Sequence, residues 1–224
     1  MATEVDICNI ALGYLGDQGT VSSINPPEGS AQAGRCQRYY PLARDVVLED
    51  RNFSFSTKRA TPAAVDIQVA QWGKAYALPA NTLKVVAVLP PGGAQVLDDL
   101  LGEGTQFPSY DMLVGQFGMP DFEVEAAPDG TKTIYTNQED ATILYVVRVT
   151  DTNKFSQMFV FGLARMLASM LAGPIIKGKA GSDESKVQLQ FAEAIFDKAA
   201  TRDANQSTTH YNRDYIPSSV RARR

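Results

Sequence analysis

The side chains that could perform chemistry in this sequence are few and far apart. The only histidine, His210, lies near the C-terminus, and Cys8 and Cys36 stand singly in segments with a helical pattern. A metal site needs several ligands in one cluster, and a nucleophile needs a rigidly held base beside it. The sequence therefore predicts no catalytic residue, no metal and no cofactor, and we expect two buried thiols instead of a disulfide.

Two acidic pairs are the remaining candidates for catalysis. Asp98-Asp99 and Glu139-Asp140 could supply the carboxylates of a hydrolase or lyase, or they could belong to a solvated acidic surface, because adjacency in sequence is not convergence in space. The glycine-rich segments 91–93 and 102–105 lack the lysine and the following helix of a phosphate-binding loop. A structural or interaction protein is favoured, with the hydrolase or lyase and a monomeric binding module as alternatives.

Length and composition fit a soluble globular protein. The 224 residues, 44% apolar and 21% charged, form one large domain or a domain with an insertion and can bury a substantial core. The N-terminus leads directly into a mixed polar helix, so no signal peptide is predicted. Residues 155–176 are long enough to span a bilayer, but the central Arg165 and the pair Gly173-Pro174 favour a core helix of a larger assembly.

Helical periodicity marks the beginning of the chain. Thr3 and Asp6 resemble a capping box, and the helix that follows is apolar on two sides. A second helix is predicted over residues 29–50. Its expected inner face consists of Cys36, Tyr39, Ala43, Val46 and Val47, and its expected outer face of Arg35, Arg38, Arg44, Glu49 and Asp50.

The period changes to that of strands between residues 58 and 150. Short strands are predicted at 72–78, 84–89, 122–126, 131–135 and 142–149, and Pro128-Asp129-Gly130 marks a hairpin. Residues 97–117 have no clear period. Residues 61–141 hold eleven acidic side chains against three lysines, so the acidity of the protein is concentrated in this part of the chain.

Two further helices are predicted after residue 150. The first carries the strongest helical stripe of the chain, from Phe155 to Leu171, which is typical of core packing. The second begins at the cap Ser182-Asp183-Glu184 and extends to about Asn205. Its predicted apolar face consists of Val187, Phe191, Ala194, Ile195 and Lys198.

Together these patterns predict an α+β protein. We expect an antiparallel helix bundle formed by the N- and C-terminal helices, an inserted small β domain and an extended C-terminal arm. The predicted boundaries are 1–60 for the first helices, 61–150 for the acidic β-rich insertion, 151–205 for the last helices and 206–224 for the arm.

The arm, residues 206–224, has no helical or strand period but is rich in residues that anchor interfaces. It holds two tyrosines, and four arginines against one aspartate. Such a segment cannot bury enough apolar surface to order itself, so it fits either a docking arm that orders on another subunit or a frayed terminus. The candidate contacts are His210, Tyr211, Arg213, Tyr215, Ile216, Val220 and Arg221.

Four segments carry a resemblance to a known family. They are ATEVDICNIALGYLG (2–16), RCQRYYPLARDVVLEDRNFSFSTKRA (35–60), YALPANTLKVVAV (76–88) and LYVVRVTDTNKFSQMFVFGLARMLASMLAGPI (144–175). In order and spacing they resemble the tail tubular protein A family, the head-to-tail adaptors of T7-like short-tailed bacteriophages. The resemblance covers most of residues 2–205. It departs where Thr152 replaces the usual proline after Asp151, and residues 91–120 match little.

The resemblance implies a structural virion protein at the head–tail interface, assembled in the bacterial cytoplasm, with no enzymatic activity. It implies a homo-oligomeric ring, dodecameric in such adaptors, between the portal and the tail nozzle, with a DNA channel along its axis. The arm would reach the portal, the β region would lie towards the tail, and tail fibres would attach near the adaptor–nozzle junction. Some adaptors stay monomeric until they meet the portal.

The acidic insertion suggests how such a channel would avoid holding DNA. Repeated around a ring, its charge would repel phosphate. We expect part of it to face the channel, with Asp98, Asp99, Glu123 and Glu125 as candidates. DNA would then pass without sequence-specific binding, and a membrane is not an expected partner. The folded body also lacks a basic stripe interleaved with aromatic residues.

Overall fold

A computed structural model describes residues 2–67, 69–89, 120–127 and 130–204. These residues form helices and antiparallel strands, which confirms the α+β class. The helices are α1 (Glu4–Tyr14), α2 (Ala31–Asp50), α3 (Gln157–Ile176) and α4 (Gly178–Ala204). The strands are β1 (Thr57–Ala60), β2 (Lys74–Ala77), β3 (Thr82–Leu89), β4 (Phe122–Ala126), β5 (Lys132–Thr136) and β6 (Thr142–Val147).

The N-terminal helix begins at the predicted capping box. The Asp6 backbone N–H donates to Thr3 Oγ1 at 3.1 Å, and the Thr3 backbone N–H donates to Asp6 Oδ2 at 2.8 Å. These reciprocal bonds satisfy two backbone donors that the first turn would otherwise leave unpaired. Four residues of α1 are fully buried on adjoining faces, which are Ile7, Cys8, Ala11 and Leu12.

Helices α3 and α4 form an antiparallel pair. The Ser185 hydroxyl donates to the Ser169 carbonyl at 2.8 Å, while nearer the start of α3 the Arg165 guanidinium bonds Gln188. Only Lys177, at φ +63°, separates the two helices, so the predicted cap at 182–184 is wrong and α4 begins earlier. Both α1 and α2 also pack on α3.

Helix α3 occupies the centre of the helical part. Ten of its residues are buried, among them Phe159, Leu163 and Leu167. Among the described helices it is the one long and apolar enough to cross a membrane, and 56% of its most apolar stretch is buried inside the protein. The other helices supply that burial, because α1, α2 and α4 all contact α3.

The strands form two three-stranded antiparallel sheets, in the orders β1-β6-β3 and β2-β5-β4. The predicted hairpin is confirmed by the β4–β5 pairing, in which Ala126 is opposite Lys132 and Gly130 has φ +83°. Strand β1 was not predicted, because its sequence TKRA is short and polar. Its pairing with β6, Thr57 opposite Val146, depends on a segment far away in sequence.

A cluster of phenylalanines connects the helices to the segment that leads into the first sheet. Phe53 packs edge-on against Phe159 at 5.1 Å between ring centroids, and Phe159 also contacts Phe155 and Phe196. Phe53, Phe159 and Phe196 are almost completely buried. Edge-to-face packing of this kind adds about 0.5–1.5 kcal/mol per pair beyond area burial.

Arg44 corrects the expected outer face of α2. Its side chain is only 6% exposed and donates from Nε to Asp45 Oδ1 at 2.9 Å. Asp45 Oδ2 in turn accepts from Arg148 Nε at 2.8 Å, just beyond β6. An arginine can be buried here because Asp45 pairs with it, and the same carboxylate connects α2 to the sheet.

Candidate assembly surfaces

Helix α4 is apolar on two sides, and only one of them is packed against other described residues. The side packed against α3 holds Gly181, Gln188, Ala192, Phe196 and Ala199, which are all buried. A second stripe lies about 125° away around the helix, by the 100° turn per residue. It contains Val187, 41% exposed, Phe191, 52% exposed, and the exposed Ala194.

The predicted apolar face of α4 is therefore the exposed one. The interpretation failed because Val187 and Phe191 look like a core face in the sequence, whereas the packed face combines the small Gly181, Ala192 and Ala199 with one large ring, Phe196, which allows close helix approach. Gly162 of α3 shows this closeness, since a Cβ there would lie 2.5 Å from Phe196 Cε1. The sequence does carry a sign of this exposed stripe, because apolar residues occur on two sides of α4.

Arg165 holds Phe191 in place on the surface. Its guanidinium carbon lies 3.5 Å from the Tyr14 ring centroid and 5.1 Å from that of Phe191. Arg165 Nη1 donates to Gln188 Oε1 at 2.7 Å, and Gln188 Nε2 donates to Glu184 Oε1 at 2.6 Å. These contacts connect α1, α3 and α4, so Phe191 in the exposed stripe of α4 is held by residues of the packed helices beneath it.

Helix α2 carries a second exposed apolar stripe. Leu42 is 55% exposed and Val46 is 47% exposed, one turn apart. Val46 was expected on the inner face, but Tyr40, Ala43, Val47 and Leu48 occupy the core. The side of α2 that faces the core is rotated relative to the predicted one. Tyr40 is fully buried instead of Tyr39, and Val46 points outwards.

Charged side chains stand at both ends of these stripes. On α2, Arg38 lies one turn before Leu42, and Glu49 lies one turn after Val46. On α4, Asp183 lies one turn before Val187, and Lys198 lies one turn after Ala194. All four are exposed, and within the described residues none of them forms an ion pair. Glu49 lies near enough to Lys84 to act on its charge, and the other three charges have no partner among the described residues.

Two of the four candidate channel acids lie in the described part of the chain. Glu123 and Glu125 are exposed on the same face of β4, which is an edge strand of the sheet β2-β5-β4. The Trp72 indole N–H donates to Glu123 Oε2 at 3.1 Å. Asp98 and Asp99 lie outside the described residues. A common placement of the four acids thus stays a prediction.

The other acidic candidates are also on the surface. Glu139 accepts from Lys74 Nζ at 2.7 Å, and both side chains are exposed. This pairing lowers the pKa of Glu139 and raises the pKa of Lys74. Asp140 is exposed in a left-handed turn at φ +50°. Glu139 thus has a lysine partner in solvent. Of the two interpretations of the acidic pairs, this fits the solvated acidic surface.

The cysteine, metal-ligand and arm candidates have different outcomes. Cys8 and Cys36 are free and buried, which confirms the expectation of two thiols. A hydrogen bond between them together with burial raises the pKa of Cys8. In the described ranges, no three histidine, cysteine, aspartate or glutamate side chains cluster as metal ligands would. The arm candidates, His210, Tyr211, Arg213, Tyr215, Ile216, Val220 and Arg221, lie outside the described residues.

No protein-family model matches this chain, and a search of curated proteins finds no match either. The resemblance to the tail tubular protein A family therefore stays a prediction that depends on the four sequence segments. The surfaces of α2 and α4 stand independently of it.

Proposed function

We propose that this chain is a structural head-to-tail adaptor of a short-tailed bacteriophage. It forms a ring, dodecameric as in the family it resembles, between the portal and the tail nozzle of the virion. The observation that carries the proposal is the pair of exposed apolar stripes on α2 and α4, one on each of two helices that are otherwise well packed. Such surfaces are typical of proteins that function by association.

Two different stripes on one chain are compatible with a closed ring. A dimer with twofold symmetry uses the same patch on both copies, whereas a closed ring joins one patch of each copy to a different patch of the next. A hydrolase or lyase gains no comparable support, because Glu139 is paired with Lys74 in solvent.

The arm, residues 206–224, supplies the contact with the portal in this proposal. A single arm that orders only on binding has modest affinity, because ordering costs entropy. Around a ring, every attached arm raises the effective concentration of the others, and many weak contacts become one strong attachment. Tyrosines and arginines such as Tyr211, Arg213, Tyr215 and Arg221 suit this role.

Mass measurement tests the proposal directly. The purified protein is measured alone and after mixing with the portal protein of the same phage, and the complex is imaged at low resolution. We expect a ring seated on the portal. A chain that stays monomeric in both samples is a binding module or another kind of protein, and the proposal then fails.

Removal of residues 206–224 tests the arm separately. The shortened protein should retain its thermal unfolding transition, because residues 206–224 have no helical or strand period in the sequence. It should lose portal binding. Unchanged portal binding would show that another surface makes this contact. The matched control replaces only Ser207, Thr208 and Thr209 by alanine, which leaves every anchor residue in place.

A further inference from the structure

The exposed stripes of α2 and α4 have the same layout with opposite charges at their ends. In chain direction, α2 presents arginines, then Leu42 and Val46, then Glu49. In the same direction, α4 presents Asp183, then Val187 and Phe191, then Lys198. Each stripe therefore has an apolar centre with unpaired charges of opposite sign before and after it.

The two stripes also match in length. Arg35, which lies on the α2 stripe two turns before Leu42, is about 21 Å from Glu49 along the helix axis at 1.5 Å per residue. Asp183 is about 22 Å from Lys198 on the same basis. When the ends are aligned, Val46 comes opposite Ala194, and Leu42 comes opposite the turn between Val187 and Phe191.

We propose that α2 of one copy of the chain packs parallel to α4 of the next copy. Leu42 and Val46 then insert between Val187, Phe191 and Ala194, Arg35 pairs with Asp183, and Glu49 pairs with Lys198. The antiparallel arrangement would bring Arg35 beside Lys198 and Glu49 beside Asp183, so like charges disfavour it. The α2 stripe of one copy is thus covered by the α4 stripe of a second copy, and the reverse.

This inference rests on the proposed ring and names its subunit contact. Each copy offers its α2 stripe to one neighbour and its α4 stripe to the other, so association propagates until the ring closes. The small Ala194 leaves room for Val46, while Arg165 holds the Phe191 ring against which Leu42 packs. The charges at the two ends fix the direction and register of the helices.

Disulfide cross-linking tests the register. The double variant Val46→Cys/Ala194→Cys is oxidised alone and after mixing with the portal, then separated on a non-reducing gel. We expect a ladder of multimers. The single variants Val46→Cys and Ala194→Cys should give no linked dimers, because neither position meets its own copy. The native cysteines are buried and should stay reduced.

A neighbouring position provides the matched control. Glu193 is exposed but lies about 100° around α4 from Ala194. The variant Val46→Cys/Glu193→Cys should therefore give severalfold less ladder. Equal ladders from the two double variants, or linked dimers from a single variant, would overturn the proposed pairing.

Charge reversal tests the direction of packing. Arg35→Glu or Asp183→Arg alone should weaken ring formation about fivefold, because each places like charges together at one end of the contact. The double variant Arg35→Glu/Asp183→Arg should restore assembly. Two single variants that assemble normally, or a double variant that is no better than either, would contradict the pairing.

The outcomes separate this inference from the function on which it rests. If the unmodified chain forms a ring with the portal but the cross-links do not appear, the adaptor stands and the α2–α4 contact is wrong. If the unmodified chain neither self-associates nor joins the portal, both fail.

Discussion

Gly162 is where one residue decides the packing of two helices. The absence of a side chain there allows the Phe196 ring to lie against the α3 backbone, and an added Cβ would come within 2.5 Å of it. Real Cβ atoms do not approach so closely, so the ring or the helix would have to move. The close approach of α3 and α4 at this point therefore depends on the glycine.

We therefore expect Gly162→Ala to lower the free energy of unfolding by about 1–3 kcal/mol, the usual cost of overpacking. Urea or thermal unfolding measures it. The matched control is Gly34→Ala in α2, where an added Cβ meets nothing within 4 Å. That change should stabilise by about 0.5–1 kcal/mol, since alanine favours helix. Two changes of equal sign would refute the packing argument.

The Asp6 carboxylate gives a prediction about pH. Its hydrogen bonds with the Thr3 backbone and hydroxyl hold the pKa of Asp6 below its usual value. Because the folded pKa is depressed, the capping contribution is present at neutral pH. It is lost as the pH falls from the unfolded pKa through the folded one.

NMR titration should accordingly place the pKa of Asp6 below that of an unstructured aspartate. In Thr3→Val, which removes the hydroxyl while keeping the size, the pKa should move back part of the way, because the backbone N–H of residue 3 remains a donor. An Asp6 pKa unchanged by Thr3→Val would show that the hydroxyl does not contribute.

Helix α4 shows how one element can serve two environments. The face with Ala192, Phe196 and Ala199 packs on α3, and the face with Val187 and Phe191 is exposed. In the folded monomer Phe196 is 2% exposed whereas Phe191 is 52% exposed, although the two lie little more than one turn apart. The same residue type should therefore give opposite results at the two positions.

We expect Phe196→Ala to destabilise the monomer by about 3–5 kcal/mol, as buried phenylalanines do. Phe191→Ala should cost no more than about 1 kcal/mol in the same unfolding measurement, because the ring is half exposed. Assembly should respond the other way, with Phe191→Ala abolishing the ring under conditions where the monomer is fully folded. A ring that survives Phe191→Ala would remove α4 from the interface.

Taken as a whole, the molecule separates its apolar stripes from its acidic surface. The stripes lie on the helices, whereas the described acids of residues 61–141, among them Asp66, Asp121, Glu123 and Glu125, are all exposed in the β part. In the proposed ring, this division would let one part hold the subunits together while another faces DNA. The placement of these acids would then decide between a channel wall and an outer wall.

Charge reversal on β4 tests that placement in the assembled ring. If Glu123 and Glu125 face the channel, Glu123→Lys/Glu125→Lys should bind duplex DNA about tenfold more tightly at low salt, with a steeper dependence on salt concentration. Gel shift at several salt concentrations measures both. The neutral variant Glu123→Gln/Glu125→Gln should fall between. Unchanged DNA binding would place this face on the outside.

Local rules determined much of this fold from the sequence alone. The capping box at Thr3, the hairpin at Gly130 and the bounds of β4 follow from contacts between residues close together in the chain, so the predictions there are confirmed. The α+β class follows from the change of period between the helical and strand segments.

Only the tertiary structure decided which apolar side chains are buried. The helical period places Val46 and Phe191 on apolar arcs but does not say which arc meets a neighbour, because that depends on elements distant in sequence. The burial of Arg44 required Asp45 and Arg148 together, and β1 required β6. The stripes of α2 and α4 can be recognised as exposed only when the structure shows which sides of these helices pack on α3. A helix with two apolar sides buries one of them in the core, and tertiary packing decides which side stays exposed for a partner.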